Sequence, residues 1–206
     1  VAELKASGFS TDRFKGMTPI LDLKTGLVPA LPPVLEASRA AQAAEMIDAW
    51  KQGSQTQESI RADLIRDLLL RKAPATAERP RNEDEGSKML RRLGELESSD
   101  PVRRERAREL LLQNIDSAPA WREAWVHFFV GRSLVERETD PALRRIGVLE
   151  LLNVPPLGEA APPGLSARAL RLAASTIREL GDTRNASILD SLAESSEPNE
   201  ALEKSQ

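Results

Sequence analysis

Residues 167–200 read ARALRLAASTIRELGDTRNASILDSLAESSEPNE, and this stretch decides the fold. Leu170, Ala173, Ile177 and Leu180 recur at i, i+3, i+7 and i+10, which puts them on one face of a 3.6-residue spiral. Gly181-Asp182 then breaks the pattern. Glycine accepts the left-handed backbone of a helix end, and aspartate is a strong capping residue. Ala186, Leu189 and Ala193 resume the spacing, and Pro198 closes it. The stretch predicts two helices joined by a tight turn. A pair this small cannot bury its own apolar face, so it calls for neighbours of the same kind.

Moving toward the N-terminus, the same signals recur. Asp140-Pro141 sets a capping acceptor before a proline at the first helical position, where the missing N–H is no loss. Leu143, Ile146, Leu149, Leu151 and Leu152 follow it, up to Pro155-Pro156 and a Pro- and Gly-bearing loop to Gly164. Before that cap, Trp121, Ala124, Trp125, Phe128 and Phe129 form a broad apolar stripe. Asp100-Pro101 repeats the cap-plus-proline signal and opens a helix whose inner face is Ala107, Leu110, Leu111 and Ile115, closed by Pro119. Leu90, Leu93 and Leu96 mark another helix. Ile60, Leu64, Ile65, Leu68 and Leu69 mark one ended by Pro74, after a polar turn over Ser54 to Ser59. Ala40, Ala43, Ala44, Ile47 and Trp50 mark one stopped by Gly53.

Composition agrees. Hydrophobic residues make up 40 % of the 206, enough for a core, so wholesale disorder is excluded. Three Trp, four Phe and no Tyr are too few aromatics for most all-β domains. No segment alternates as a strand does. The expected fold is all-α. The expected organisation is an irregular, Pro/Gly-broken but apolar N-terminal arm over 1–33, a divergent hairpin over 34–74 and a polar linker over 75–86. A helical array over 87–200 and a frayed tail over 201–206 complete it.

Over 87–200 the chain resembles the tetratricopeptide repeat, a 34-residue helix–turn–helix family. Ala167 to Glu200 carries the match best, with Leu170 at the large position, Ala174 at the small one, Gly181-Asp182 at the turn, then Ala186, Ala193 and Pro198. Ala173 stands where Leu is usual and Asp190 where an aromatic is usual. A second match runs from Leu90 through Leu93-Gly94, Ala107 and Leu111 to Pro119. A third, from Trp125 to Pro155, has Phe128-Phe129 in place of Leu-Gly. The resemblance implies tandem antiparallel hairpins stacked as a short α-solenoid. Small residues at Gly94, Ala174, Ala186 and Ala193 would let paired helices approach closely.

The resemblance also implies a non-enzymatic scaffold whose concave groove binds a peptide or a segment of a partner protein. Position by position, it puts Lys88, Arg91, Glu95 and Ser98 on that groove, with Glu123, Val126, Val130 and Ser133 from the next helix. Arg168, Arg171, Ser175 and Arg178 come from the last. The five basic members, Lys88, Arg91, Arg168, Arg171 and Arg178, point to an acidic ligand, because Arg offers fork-shaped donors matched to carboxylate oxygens.

Other classes fit less well. Twenty-nine Lys+Arg against 32 Asp+Glu give a charge of −3 and no overall field to attract nucleic acid. The run Arg103-Arg104-Glu105-Arg106-Ala107-Arg108 is interrupted by acids, lacks interleaved aromatics and reads as a solvated face, so no nucleic-acid partner is expected. No Cys and one His rule out thiolate and His-rich metal sites, and no cofactor is expected. The acidic Glu83-Asp84-Glu85 lacks calcium-loop spacing and reads as a helix start. No apolar run approaches the roughly 20 residues that span a bilayer. His127 with Glu123 one turn before it is the best acid–base pair, but it lies off the Trp125/Phe128 stripe and reads as a surface side chain without a nucleophile motif. Catalysis is not expected. The alternative reading is an assembly subunit held in a larger complex through residues 1–33.

Overall fold

The computed structural model describes residues 41–45, 47, 48, 57–74, 85–113, 115, 118, 120–161 and 164–196. Among these residues it is all-helical and contains no strand. After helical residues 41–45, 47 and 48 come α1 (Gln57–Leu69), α2 (Glu85–Glu95), α3 (Pro101–Leu112), α4 (Ala120–Arg137) and α5 (Pro141–Leu152). A short 3₁₀ helix (Pro155–Ala160), α6 (Leu165–Glu179) and α7 (Thr183–Ser195) complete the order. The expected arm, the linker up to residue 84, the tail, and Trp50, Gly53, Pro119 and Pro198 lie outside the described residues. Several boundaries differ from the sequence reading: α2 begins at Glu85, inside the expected 75–86 linker, and α3 ends at Leu112, short of Ile115. Helix α1 begins within the expected polar turn, and part of the expected 155–164 loop is the 3₁₀ helix.

The chain divides into two compact units, residues 1–107 and 108–206. In the first, α1 packs on α2. Ala62, Leu64, Ile65 and Leu68 are buried from one helix, and Met89, Leu90 and Leu93 from the other. Gly94 is where the chain leaving α1 passes over α2: a Cβ there would sit 2.9 Å from Pro74 Cδ. Helix α1 ends with Arg71 in left-handed backbone, φ 55°. Its N–H donates to the Leu68 carbonyl at 3.2 Å and that of Lys72 to Asp67 at 2.8 Å, the paired bonds of a Schellman end. Glycine would adopt that turn more cheaply. Arginine instead brings its Nε to 3.6 Å from the carboxylate of Glu97, which is itself buried. The Asp100-Pro101 start forms as expected, Asp100 Oδ1 accepting from the Val102 N–H at 2.9 Å. Arg104, also buried, donates to the Ser98 and Ser99 carbonyls and so satisfies the turn after α2.

In the second unit α4 is buried continuously from Ala124 to Val135. It meets α5 at two glycines. A Cβ on Gly131 would lie 2.8 Å from the Gly147 carbonyl and 2.8 Å from Leu151 Cγ, and one on Gly147 would lie 2.7 Å from Leu134 Cβ. Only backbones without side chains approach this closely. Asp140 caps α5 by accepting from the Ala142 N–H at 2.8 Å. Arg144 of α5 donates to the Val135 carbonyl of α4 and to Glu179 of α6, so one guanidinium joins three helices. Arg108 and Glu138, both largely buried, pair at 2.9 Å. Helix α5 also packs on α6, and α6 on α7.

The last turn is Gly181, φ 94°, followed by Asp182. Asp182 accepts from the Asn185 N–H at 3.0 Å and from the Asn185 side-chain amide at 2.6 Å. Those two donors, the backbone one foremost, hold its carboxyl below the usual carboxylate range. A depressed folded value means the cap stabilises α7 above the unfolded carboxylate pKa and is lost as pH falls through the folded one. Thermal melts from pH 7 down to pH 2 should therefore show Asp182→Ala less stable than wild type at neutral pH. The gap should close in acid. Parallel curves across that range would refute the cap's ionic role.

Candidate functional site

Helix α6 carries the most coherent of the sequence-derived candidates. At about 100° per residue, Arg168, Arg171, Ser175 and Arg178 fall within roughly one quarter of its circumference. All four are exposed, while Leu165, Ala169, Leu170, Ala173 and Ala174 are buried on the other side. Alternation of Arg and Leu/Ala in the sequence produces this: the apolar residues take the core-facing arc and leave the charged ones to water. Arg178 is engaged by Asp190 of α7. Lys88 and Arg91 lie on α2 in the first unit, half-buried. The five basic candidates thus divide between the units, three exposed on α6 and two partly covered on α2.

Of the remaining groove positions, Glu95 and Glu123 are half-buried and the other four are corrected. Val126, Val130 and Ser133 are buried, because α4 has no solvent face between Ala124 and Val135. Helices α5 and α6 and the 3₁₀ helix all pack against it. Ser98 is buried too, and its Oγ accepts from the Asp100 N–H at 3.2 Å within the turn before α3.

His127 is also corrected. It is not a surface side chain but 9 % exposed. Its Nδ1 lies 2.7 Å from Glu150 Oε2 on α5, and its Nε2 lies 3.8 Å from Glu123 Oε1. An ionised carboxylate only accepts, so Nδ1–H is the donor and Glu150, rather than Glu123, is the partner. The sequence offered Glu123 because it is one helical turn away; Glu150 is 23 residues distant and visible only once α5 folds back. The contact fastens two helices. Among the described residues no cluster of three His, Asp or Glu side chains could hold a metal ion, and no helix is long and apolar enough to cross a membrane.

The unpaired indole of Trp125, the burial of Arg132 and the exposure of two apolar pairs escaped the sequence reading. Trp125, 1 % exposed, stacks at a tilt on Phe129, with ring centroids 5.9 Å apart. Its Nε1 is buried without a hydrogen-bond partner. Arg132, on the same helix, is buried with its guanidinium 4.6 Å from the Phe129 ring centroid, a cation–π contact. Ile146 and Leu149 of α5, and Ile188 and Leu192 of α7, are apolar but exposed. No family model, curated protein or solved structure matches this chain.

Proposed function

We propose that this chain is a non-enzymatic interaction scaffold, a short α-solenoid of tetratricopeptide-like hairpins whose exposed helix faces bind an acidic peptide or an acidic segment of a partner protein. The observation that carries the reading is the row Arg168, Arg171 and Arg178 on the outer arc of α6, a basic surface on a slightly acidic protein. Guanidinium groups spaced along one face can each donate two parallel hydrogen bonds to carboxylates on an extended ligand.

The hairpin geometry has its own support. Residue 135 of α4 meets 144 of α5, 131 meets 147, and 127 meets 150. Numbers rise along one helix as they fall along the other, the register of an antiparallel pair. Each helix of the second unit packs on its neighbour in sequence, which is how stacked hairpins are built.

The test is a peptide array of acidic, neutral and basic 15-residue sequences probed with the full chain, followed by titration of the best acidic peptide. Binding should favour acidic sequences and weaken with added salt. Arg171→Glu should reduce affinity about tenfold, equivalent to roughly 1.4 kcal/mol, with an unchanged circular dichroism spectrum. No preference for acidic peptides, or full affinity in Arg171→Glu, overturns the reading.

A further inference from the structure

The contact between Arg178 and Asp190 bears on how such a surface is used. Arg178 ends the basic row of α6, and Asp190 reaches it from α7 with a carboxylate oxygen at hydrogen-bond distance of Nη2. Both side chains are substantially exposed, 48 % and 40 %. A carboxylate therefore already sits on one guanidinium of the row, and it belongs to the protein. An ion pair that open to water is weak, so it exchanges readily with a competing carboxylate.

We infer that Asp190 is an intramolecular competitor for the acidic ligand, occupying Arg178 in the free protein and giving way when the ligand's carboxylate arrives. The inference rests on the reading of α6 as an acid-binding face. It adds that the affinity of this face is set partly by α7. Asp190 lies on α7, which packs on α6, so any change that draws α7 away takes this carboxylate off Arg178. Asp190→Asn keeps the shape and removes the competing charge.

The probe is a fluorescein-labelled hexaglutamate peptide titrated by anisotropy into the full chain at about 50 mM salt. Asp190→Asn should bind about two- to fivefold more tightly than wild type, the range set by the strength of the displaced pair. Glu194→Gln removes the same charge from an exposed position elsewhere on α7 and should gain distinctly less. In the Arg178→Ala background the gain from Asp190→Asn should disappear. Binding by wild type with no gain in Asp190→Asn, an equal gain in Glu194→Gln, or a gain that survives Arg178→Ala each overturns the inference while leaving the acidic face intact. Absence of binding by wild type and both single variants overturns the acidic face itself and the inference with it.

Discussion

Gly147→Val should destabilise the protein by about 3 kcal/mol, which corresponds to a thermal midpoint lower by roughly 6–12 °C for a chain of this size. A Cβ at position 147 would lie 2.7 Å from Leu134 Cβ, 2.8 Å from Val135 Cγ1 and 2.9 Å from the Gly131 carbonyl oxygen. The first and last of these atoms belong to the backbone or sit directly on it, so rotating a side chain cannot make room. Valine adds two further methyls, and the helices must separate to admit them. Separation in turn strains the His127–Glu150 and Arg144–Val135 contacts, which span the same two helices. Ala142→Val is the control, since it introduces valine at an exposed position of α5 where the cost is the helix-propensity difference alone, within about 1 kcal/mol. Equal losses in urea unfolding of the two variants would show that the backbones do not touch at Gly147.

Trp125→Ala should cost about 3–5 kcal/mol, the range for emptying a large aromatic site in a core. Trp125→Phe should cost less than about 1.5 kcal/mol. Both variants remove the indole N–H, which is buried with no acceptor, so the contrast comes from the aromatic ring that phenylalanine keeps and alanine empties. A buried donor left unpaired carries a penalty of about 1–3 kcal/mol, and phenylalanine removes that penalty along with part of the ring volume. Phenylalanine also keeps an aromatic face for Phe129. Denaturant midpoints for the two variants check this. A phenylalanine variant as unstable as the alanine one would mean that the retained ring makes no packing contribution at this site.

Much of the helical layout was legible because its signals are local. Asp100-Pro101, Asp140-Pro141 and Gly181-Asp182 fix starts and turns through bonds spanning two or three residues, and each forms where the spacing put it. Ala186 and Ala193, placed on one face by helix spacing and at small positions by the resemblance, are fully buried. The candidate site was legible on α6, where Arg and Leu/Ala alternate cleanly. It was misread on α4, because a repeat-position assignment presumes one wet face, and α4 has none in its central twelve residues. A signal was present: from Ala124 to Val135 the only permanently charged residue is Arg132, too sparse for an amphipathic surface helix. The Glu150 partner of His127 and the Gly131–Gly147 approach were not legible, since both join residues that meet only after α5 returns along α4. Ile146 and Leu149 mislead in the opposite direction. They fit the apolar pattern of α5, yet Gly147, Val148 and Leu151 take the buried positions.

The neighbour-on-neighbour packing of α4 to α7 also shapes how the unit forms and comes apart. Its contacts close short chain loops, so little entropy is lost in finding each one, and low contact order of this kind favours rapid folding. Dissolution runs the same way in reverse. Helix α7 leans chiefly on α6 through two alanines, whereas α4 is covered by three elements. Opening can therefore begin at α7 and stop there, with amide protons exchanging in that helix while those of α4 wait for global unfolding.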